Sequence, residues 1–217
     1  MRLFDLLENY TADTIIANGK ERSATNSNGE RIATTRAGLL NFYRWFGNSK
    51  VVDRSGRPLV MYHGTKHHKQ PKIMEPSYKK RPLKIHLRTD KDIASDDETT
   101  SLMDLFKQRK KVKGPDTFGY NQNQAGMYFT PSEHYASNYG KASSYYLRIE
   151  TPMYPKGIND YLSFLSKGDV DIIKNQLHKD GYIDKHGNGE YIVFDSNQIK
   201  KVDNIGSFST KSKLVTK

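Results

Sequence analysis

The chain has 217 residues, only 35% of them apolar, and a mean hydropathy of −0.81, which favours one domain with a modest core, or one domain with an arm. Lysine and arginine number 35 against 24 acidic residues, a net charge of +11 that suits nucleic acid, an acidic protein face or a dinucleotide without choosing among them. With no cysteine, a disulfide framework, a thiolate metal site and a thiol nucleophile are all excluded, and no apolar run approaches transmembrane length.

In chain order, residues 1–18 carry a weak amphipathic pattern (Leu3, Phe4, Leu6, Leu7, Ile15, Ile16) that predicts a short helix. The Met1–Tyr10 segment is too short and too acidic for a signal peptide, so a cytoplasmic protein is expected, with no membrane partner. Gly19 to Thr35 is polar and reads as linker or surface loop. Arg36 to Phe46 has a broad apolar face (Leu39, Leu40, Phe42, Tyr43, Trp45, Phe46) and predicts a helix stopped by Gly47. A turn at Asp53-Arg54-Ser55-Gly56 precedes a strand over Leu59–Tyr62. Residues 66–122 are polar and basic, with runs at Lys79-Lys80-Arg81 and 107–111 and one short helix expected over Ser101–Arg109. Strands are predicted at Gly126–Thr130, Tyr145–Ile149 and Tyr191–Asp195, and helices at Ser132–Tyr139 and Asp169–His178. Ser132 is a suitable N-cap, with Glu133 in the first turn. Short strands without regular β-α-β alternation predict an α+β fold on antiparallel sheets. The expected organisation is an N-terminal helix and polar arm over 1–35, a domain over 36–205 with a basic insertion at about 66–122, and a basic tail over 206–217.

Three segments bear on chemistry. In Tyr62-His63-Gly64-Thr65, directly after a strand, glycine permits close ligand approach and histidine can hydrogen-bond a sugar hydroxyl. Alone, such a histidine is more often structural. Gly126 to Tyr139 reads as strand, turn, helix, and places Tyr128 and Tyr139 where their rings can face each other across a slot for one flat heterocycle. The plainer reading is two core tyrosines. In Gly189-Glu190-Tyr191-Ile192-Val193-Phe194-Asp195, a carboxylate opens an otherwise apolar strand where packing does not need it, facing either a cleft or a surface salt bridge.

Taken in order, His63, Tyr128, Tyr139 and Glu190 resemble the ADP-ribosyltransferase superfamily, in the histidine–tyrosine–glutamate branch of diphtheria toxin and the poly(ADP-ribose) polymerases. The polymerases show a Gly-x-Tyr-Phe strand, a helix ending Ala-Asn-Tyr, and a late Glu-Tyr-Ile-Val-aromatic-Asp. Here these read Gly126-Met127-Tyr128-Phe129, Ser137-Asn138-Tyr139 and Glu190 to Asp195. Closer still are transferase domains of phage and mobile-element polyproteins, which share the Arg44–Asp53 lead-in and the Phe194–Ile199 pattern Phe-Asp-x-x-Gln-Ile. The resemblance covers about 40–65 and 124–202. It implies a fold of two packed, mainly antiparallel β-sheets (a split β-sandwich) flanked by short helices. It also implies NAD as substrate, with His63 on the adenosine ribose, the Gly64 backbone on the nicotinamide carboxamide, and Tyr128 and Tyr139 around the nicotinamide ring. Thr65 and Phe129 complete the NAD-contacting set, and Glu190 accepts from the 2′-hydroxyl of the nicotinamide ribose. The chain departs from the polymerases at Ala136, where they carry serine on the nicotinamide amide; Ser137 faces elsewhere on a helix.

The function this implies is transfer of one ADP-ribose from NAD to a macromolecular acceptor, protein or nucleic acid, by a phage or mobile-element effector in a bacterial host cytoplasm. The acceptor stays open among arginine, serine, aspartate and asparagine side chains and nucleic-acid bases, with NAD hydrolysis as the acceptor-free outcome; oligomeric state is not legible. The alternative is a non-catalytic basic module on the same fold, contacting nucleic acid or an acidic protein. A metal at His63, His67 and His68 is disfavoured because neither cysteine nor matching carboxylates accompany them. A tRNA 2′-phosphotransferase would want arginines around the histidine, which this segment lacks.

Overall fold

The computed structural model describes residues 10–65, 126–154, 170, 173–175, 177–184, 189–204 and 208. The predicted insertion at 66–122 with its helix, its basic runs, His67 and His68 lie outside these, as do residues 1–9 and 209–217. The chain divides into two compact units, one of Met1–Pro76, Gly126–Tyr154 and His178–Lys217, the other of Ser77–Ala125 and Pro155–Leu177. Of the helix predicted over Asp169–His178, Val170 and 173–175 are helical, and His178 has left the helix at φ 52°.

The first unit runs β1 (Thr14–Ala17), β2 (Lys20–Ser23), α1 (Arg36–Phe46), β3 (Met61–Thr65), β4 (Met127–Phe129), α2 (Glu133–Ser137) and β5 (Lys141–Leu147). Then come β6 (Pro152–Met153), β7 (Gly181–Ile183), β8 (Tyr191–Val193), a 3-10 turn at Ser196–Gln198 and β9 (Ile199–Lys201). It is an α+β arrangement with few helices and mostly antiparallel sheets.

The first correction falls at residues 14–23, which form the hairpin β1–β2 in place of helix and loop. Its turn is Asn18-Gly19, both at positive φ (52° and 72°), the backbone that two-residue hairpins need. Alternation then buries Ile15 and Ala17 and leaves Ile16 exposed. With Ala24 and Ile32 they pack against α1, so the polar stretch to Thr35 contributes side chains to the same core.

Helix α1 has the predicted bounds. The Thr35 hydroxyl accepts from Gly38 N at 3.1 Å, and Gly47, at φ 58°, returns its N–H to Tyr43 O. A side chain there would be strained, and its Cβ would meet Glu150 Oε1 at 2.1 Å. Phe42 is the hub of the buried face, with ring centroids 4.9–5.1 Å from Tyr43, Phe46, Tyr146 and Phe208.

Two sheets follow. The three-stranded one has order β3-β5-β9, and the four-stranded one β4-β8-β7-β6, parallel only at β6–β7. Met61, Tyr145, Leu147 and Ile199 from the first share a core with Met127, Phe129, Ile183 and Val193 from the second. Tyr62 and Tyr146 lie on the opposite face, toward α1. The sheets are stitched where Tyr62 and Thr130 exchange backbone hydrogen bonds of 2.7 and 3.0 Å. That stitch brings the strand carrying His63 beside the strand carrying Tyr128.

Candidate active site

The predicted His63-Gly64-Thr65 segment is not a loop after a strand: β3 runs through it, pairing His63 with Ser143, Gly64 with Ala142 and Thr65 with Lys141. The strand begins two residues later than predicted, at Met61, and ends with the motif. The following helix passes directly over it. An added Cβ on Gly64 would lie 1.9 Å from Ala136 O and 3.1 Å from Tyr139 Cβ. Glycine is therefore required by close backbone approach, and the end of α2 is seated on β3.

Alternation puts His63 on the Met61 face, where its ring packs 5.4 Å from that of Phe129. Its Nδ1 lies 2.8 Å from the Tyr128 carbonyl oxygen. A carbonyl only accepts, so this partner assigns the proton to Nδ1 and leaves Nε2 as the acceptor nitrogen. Burial pushes the His63 pKa below its ordinary value, against the opposing pull of the Tyr128 carbonyl, so the neutral ring prevails at pH 7.

Tyr128 and Phe129 point to opposite faces of β4. Phe129, expected among the NAD contacts, is 2% exposed in the shared core, edge-on to Tyr145 at 5.5 Å. Its side chain packs within that core. Tyr128 falls on the other face, in register with Ile192 of β8 and, beyond it, Tyr182 of β7. The Tyr128 hydroxyl is buried without a hydrogen-bond partner. Such an atom is costly to leave unmet and fits a position completed by a ligand.

Glu190 precedes β8 by one residue and by alternation shares the face of Ile192. Continuing the register sets it opposite Asp184, whose N–H donates to the Glu190 carbonyl at 2.8 Å. Burial raises the Glu190 pKa above its ordinary value, and the Asp184 charge raises it further. Tyr128 is likewise held protonated, first by burial, then by Glu190 and Tyr182. Glu190 and Tyr128 are therefore electrostatic neighbours across β4 and β8.

Tyr139 is 55% exposed; its hydroxyl lies 3.2 Å from that of Tyr135 and the two rings meet edge-on at 5.7 Å. Ser137 Oγ donates to Glu133 O at 2.8 Å, along its own helix, and does not replace the serine missing at Ala136. Five of the predicted residues, from three distant segments, are joined pairwise: His63 to the Tyr128 backbone, Gly64 to the end of α2 and Tyr139, and Tyr128 to Glu190. Missed in the sequence were Tyr182, on a strand of three residues, Asp184 directly after it, and Tyr135, one turn before Tyr139.

Gln198, in the Phe-Asp-x-x-Gln-Ile pattern, is scaffold. Its Oε1 accepts from Phe194 N and Asp195 N at 3.0 and 2.9 Å, and its Nε2 donates to Arg148 O and Asp180 O at 2.9 and 2.7 Å. One buried amide thus ties the exits of β5 and β8 to the entry of β7. Among the described residues no group of three or more His, Asp or Glu is placed to hold a metal, and no helix is long and apolar enough to cross a membrane. No protein-family model matches the chain, and neither does any curated protein or solved structure.

Proposed function

We propose that this chain is a mono-ADP-ribosyltransferase, on the split-sandwich fold of that superfamily, which cleaves NAD at the nicotinamide–ribose bond and passes ADP-ribose to a host macromolecule. The observation that carries the reading is the joining of three distant segments: the His63 ring bonds the Tyr128 carbonyl, Tyr128 on the far face of β4 neighbours Glu190, and α2 crosses Gly64. Nothing in packing demands a neutral imidazole tied to a strand carbonyl, an unmet tyrosine hydroxyl on that same residue and a half-buried carboxylate at the start of the next strand. An NAD-cleaving site uses all three.

The C1′–N bond breaks with its electron pair leaving on nicotinamide, so positive charge moves from the pyridinium ring to the ribose. A carboxylate accepting from the 2′-hydroxyl gains interaction energy as that oxocarbenium-like charge develops, which lowers the barrier. Glu190 takes this role, and a cationic nicotinamide entering beside it favours its ionised form. His63 Nε2 accepts from a sugar hydroxyl, its orientation locked by the Tyr128 carbonyl. Tyr128 lines one side of the ring site and Tyr139, just past the end of α2, the other. The acceptor nucleophile then bonds to C1′ and releases its proton. The chain's excess positive charge favours an acidic protein or nucleic-acid acceptor, and the phage-type motifs favour an effector acting on host machinery.

Purified protein and a Glu190→Ala variant, incubated with labelled NAD and host lysate, test this through nicotinamide release and label on protein and nucleic acid. Release and label with the parent, both lost in the variant, are the expected result. Release without label identifies an NAD glycohydrolase. Equal inertness of both overturns the catalytic reading and leaves a basic binding module.

A further inference from the structure

We propose that Asp184 is a positioning residue for Glu190, holding the start of β8 through its backbone and opposing the Glu190 charge through its side chain. The inference rests on the catalytic reading of Glu190. Three observations on β7 and β8 support it. Asp184 N–H donates to Glu190 O at 2.8 Å, which fixes the backbone on which the Glu190 side chain is mounted. The register places the two residues directly opposite, where neighbouring Cβ atoms of paired strands are about 4.5–5.5 Å apart. Asp184 is only 8% exposed and Glu190 is half-buried, so water screens the pair only in part.

Among the described residues, the titratable groups bearing on Glu190 are Tyr128 from β4, and Tyr182 and Asp184 from β7 and its end. Both tyrosines stay neutral at working pH because burial raises them, which leaves Asp184 as the charge that acts. An acid so opposed is reluctant to ionise in the empty site and ionises more readily when the nicotinamide cation arrives. The Asp184 charge thus makes Glu190 respond to substrate: the free enzyme resists the charge that the transition state needs, and bound NAD restores it.

The test compares parent, Asp184→Asn and Asp184→Glu proteins by the pH profile of nicotinamide release and by carbon-detected NMR titration of the Glu190 carboxyl without NAD. In the Asn variant, which keeps the backbone donor, the Glu190 midpoint and the acidic limb of the rate profile are expected to move together to lower pH. The Glu variant is expected to move both back toward the parent. A merely structural Asp184 lowers the plateau rate and leaves both midpoints in place, which overturns the proposal. If even the parent releases no nicotinamide, the catalytic reading fails, while the NMR midpoint still decides whether Asp184 acts on Glu190. An unmoved midpoint refutes it.

Discussion

Gly64→Ala tests the most demanding contact of the site. The added Cβ would lie 1.9 Å from Ala136 O, whereas ordinary contact begins at 3.4 Å, so α2 and β3 must part by 3.4 − 1.9 = 1.5 Å. The obstacle is a helix carbonyl and cannot swing aside as a side chain would. Overpacking of this kind costs about 1–3 kcal/mol, and a backbone obstacle places this case toward the upper end. The same displacement moves Tyr139, whose Cβ is 3.1 Å from the added atom, away from its place over β3. A misplacement of about 1 Å in a reacting assembly costs on the order of 100-fold in rate.

Urea unfolding reads the first effect and nicotinamide release the second. Gly56→Ala is the control: Gly56 has φ 77° but nothing within 4 Å of an added Cβ. It carries only the backbone penalty of a left-handed alanine, about 1 kcal/mol, with the release rate unchanged. A Gly64→Ala protein that unfolds no earlier than the control and releases nicotinamide at the parental rate would refute the seating of α2 on β3.

The remaining predictions concern charge and scaffold. Glu190→Gln is expected to cut nicotinamide release by roughly 100-fold or more, as loss of transition-state electrostatic contacts does. It should cost no stability at pH 7, because a carboxyl whose folded pKa is raised stabilises the fold below its unfolded value and loses that contribution as pH rises through the folded one. The variant, permanently neutral, keeps the contribution; urea midpoints should favour it at pH 7 and converge with the parent near pH 4. Lys200 is fully buried and its pKa falls from 10.5 to about 8 through burial, so the folded state sheds its proton first and stability rises with pH from about 8 upward. Lys200→Met should abolish that rise, which unfolding curves at pH 7 and 9 measure directly; an unchanged pH slope counts against a desolvated amine. Gln198→Leu strands four backbone partners at once and is expected to cost roughly 3 kcal/mol in denaturant unfolding, against about 1 for one ordinary hydrogen bond. A loss below 1 kcal/mol would show that those groups find other partners.

The parts of the fold legible in the sequence are those whose local chemistry agrees with their packing. Helix α1 has an N-cap, a dense apolar face and a terminal glycine, and its bounds follow from those three features. Strands β4 and β8 and helix α2 were likewise marked by apolar runs and by Ser132. The hairpin β1–β2 carried its own signal in Asn18-Gly19, but the strands beside it are four residues each, and Lys20-Glu21-Arg22-Ser23 offers no apolar alternation to weigh against a loop. β6, β7 and β9 are two or three residues long. Their existence depends on partners more than a helical turn away in sequence, which no local pattern reports.

The candidate site divides along the same line. His63, Gly64, Tyr128 and Glu190 could be named because each is an unusual residue for its local setting: a histidine and a glycine in a strand, a polar ring in an apolar triplet, a carboxylate ahead of an apolar run. Phe129 shows the converse. The resemblance groups it with Tyr128 among the NAD contacts, while period-two alternation sends its side chain to the opposite face. Asp184 escaped notice because its relation to Glu190 exists only through the pairing of β7 with β8. What a residue type signals alone and what register makes of it are separate kinds of information. For a candidate site assembled from strand ends, the second decides which groups neighbour Glu190.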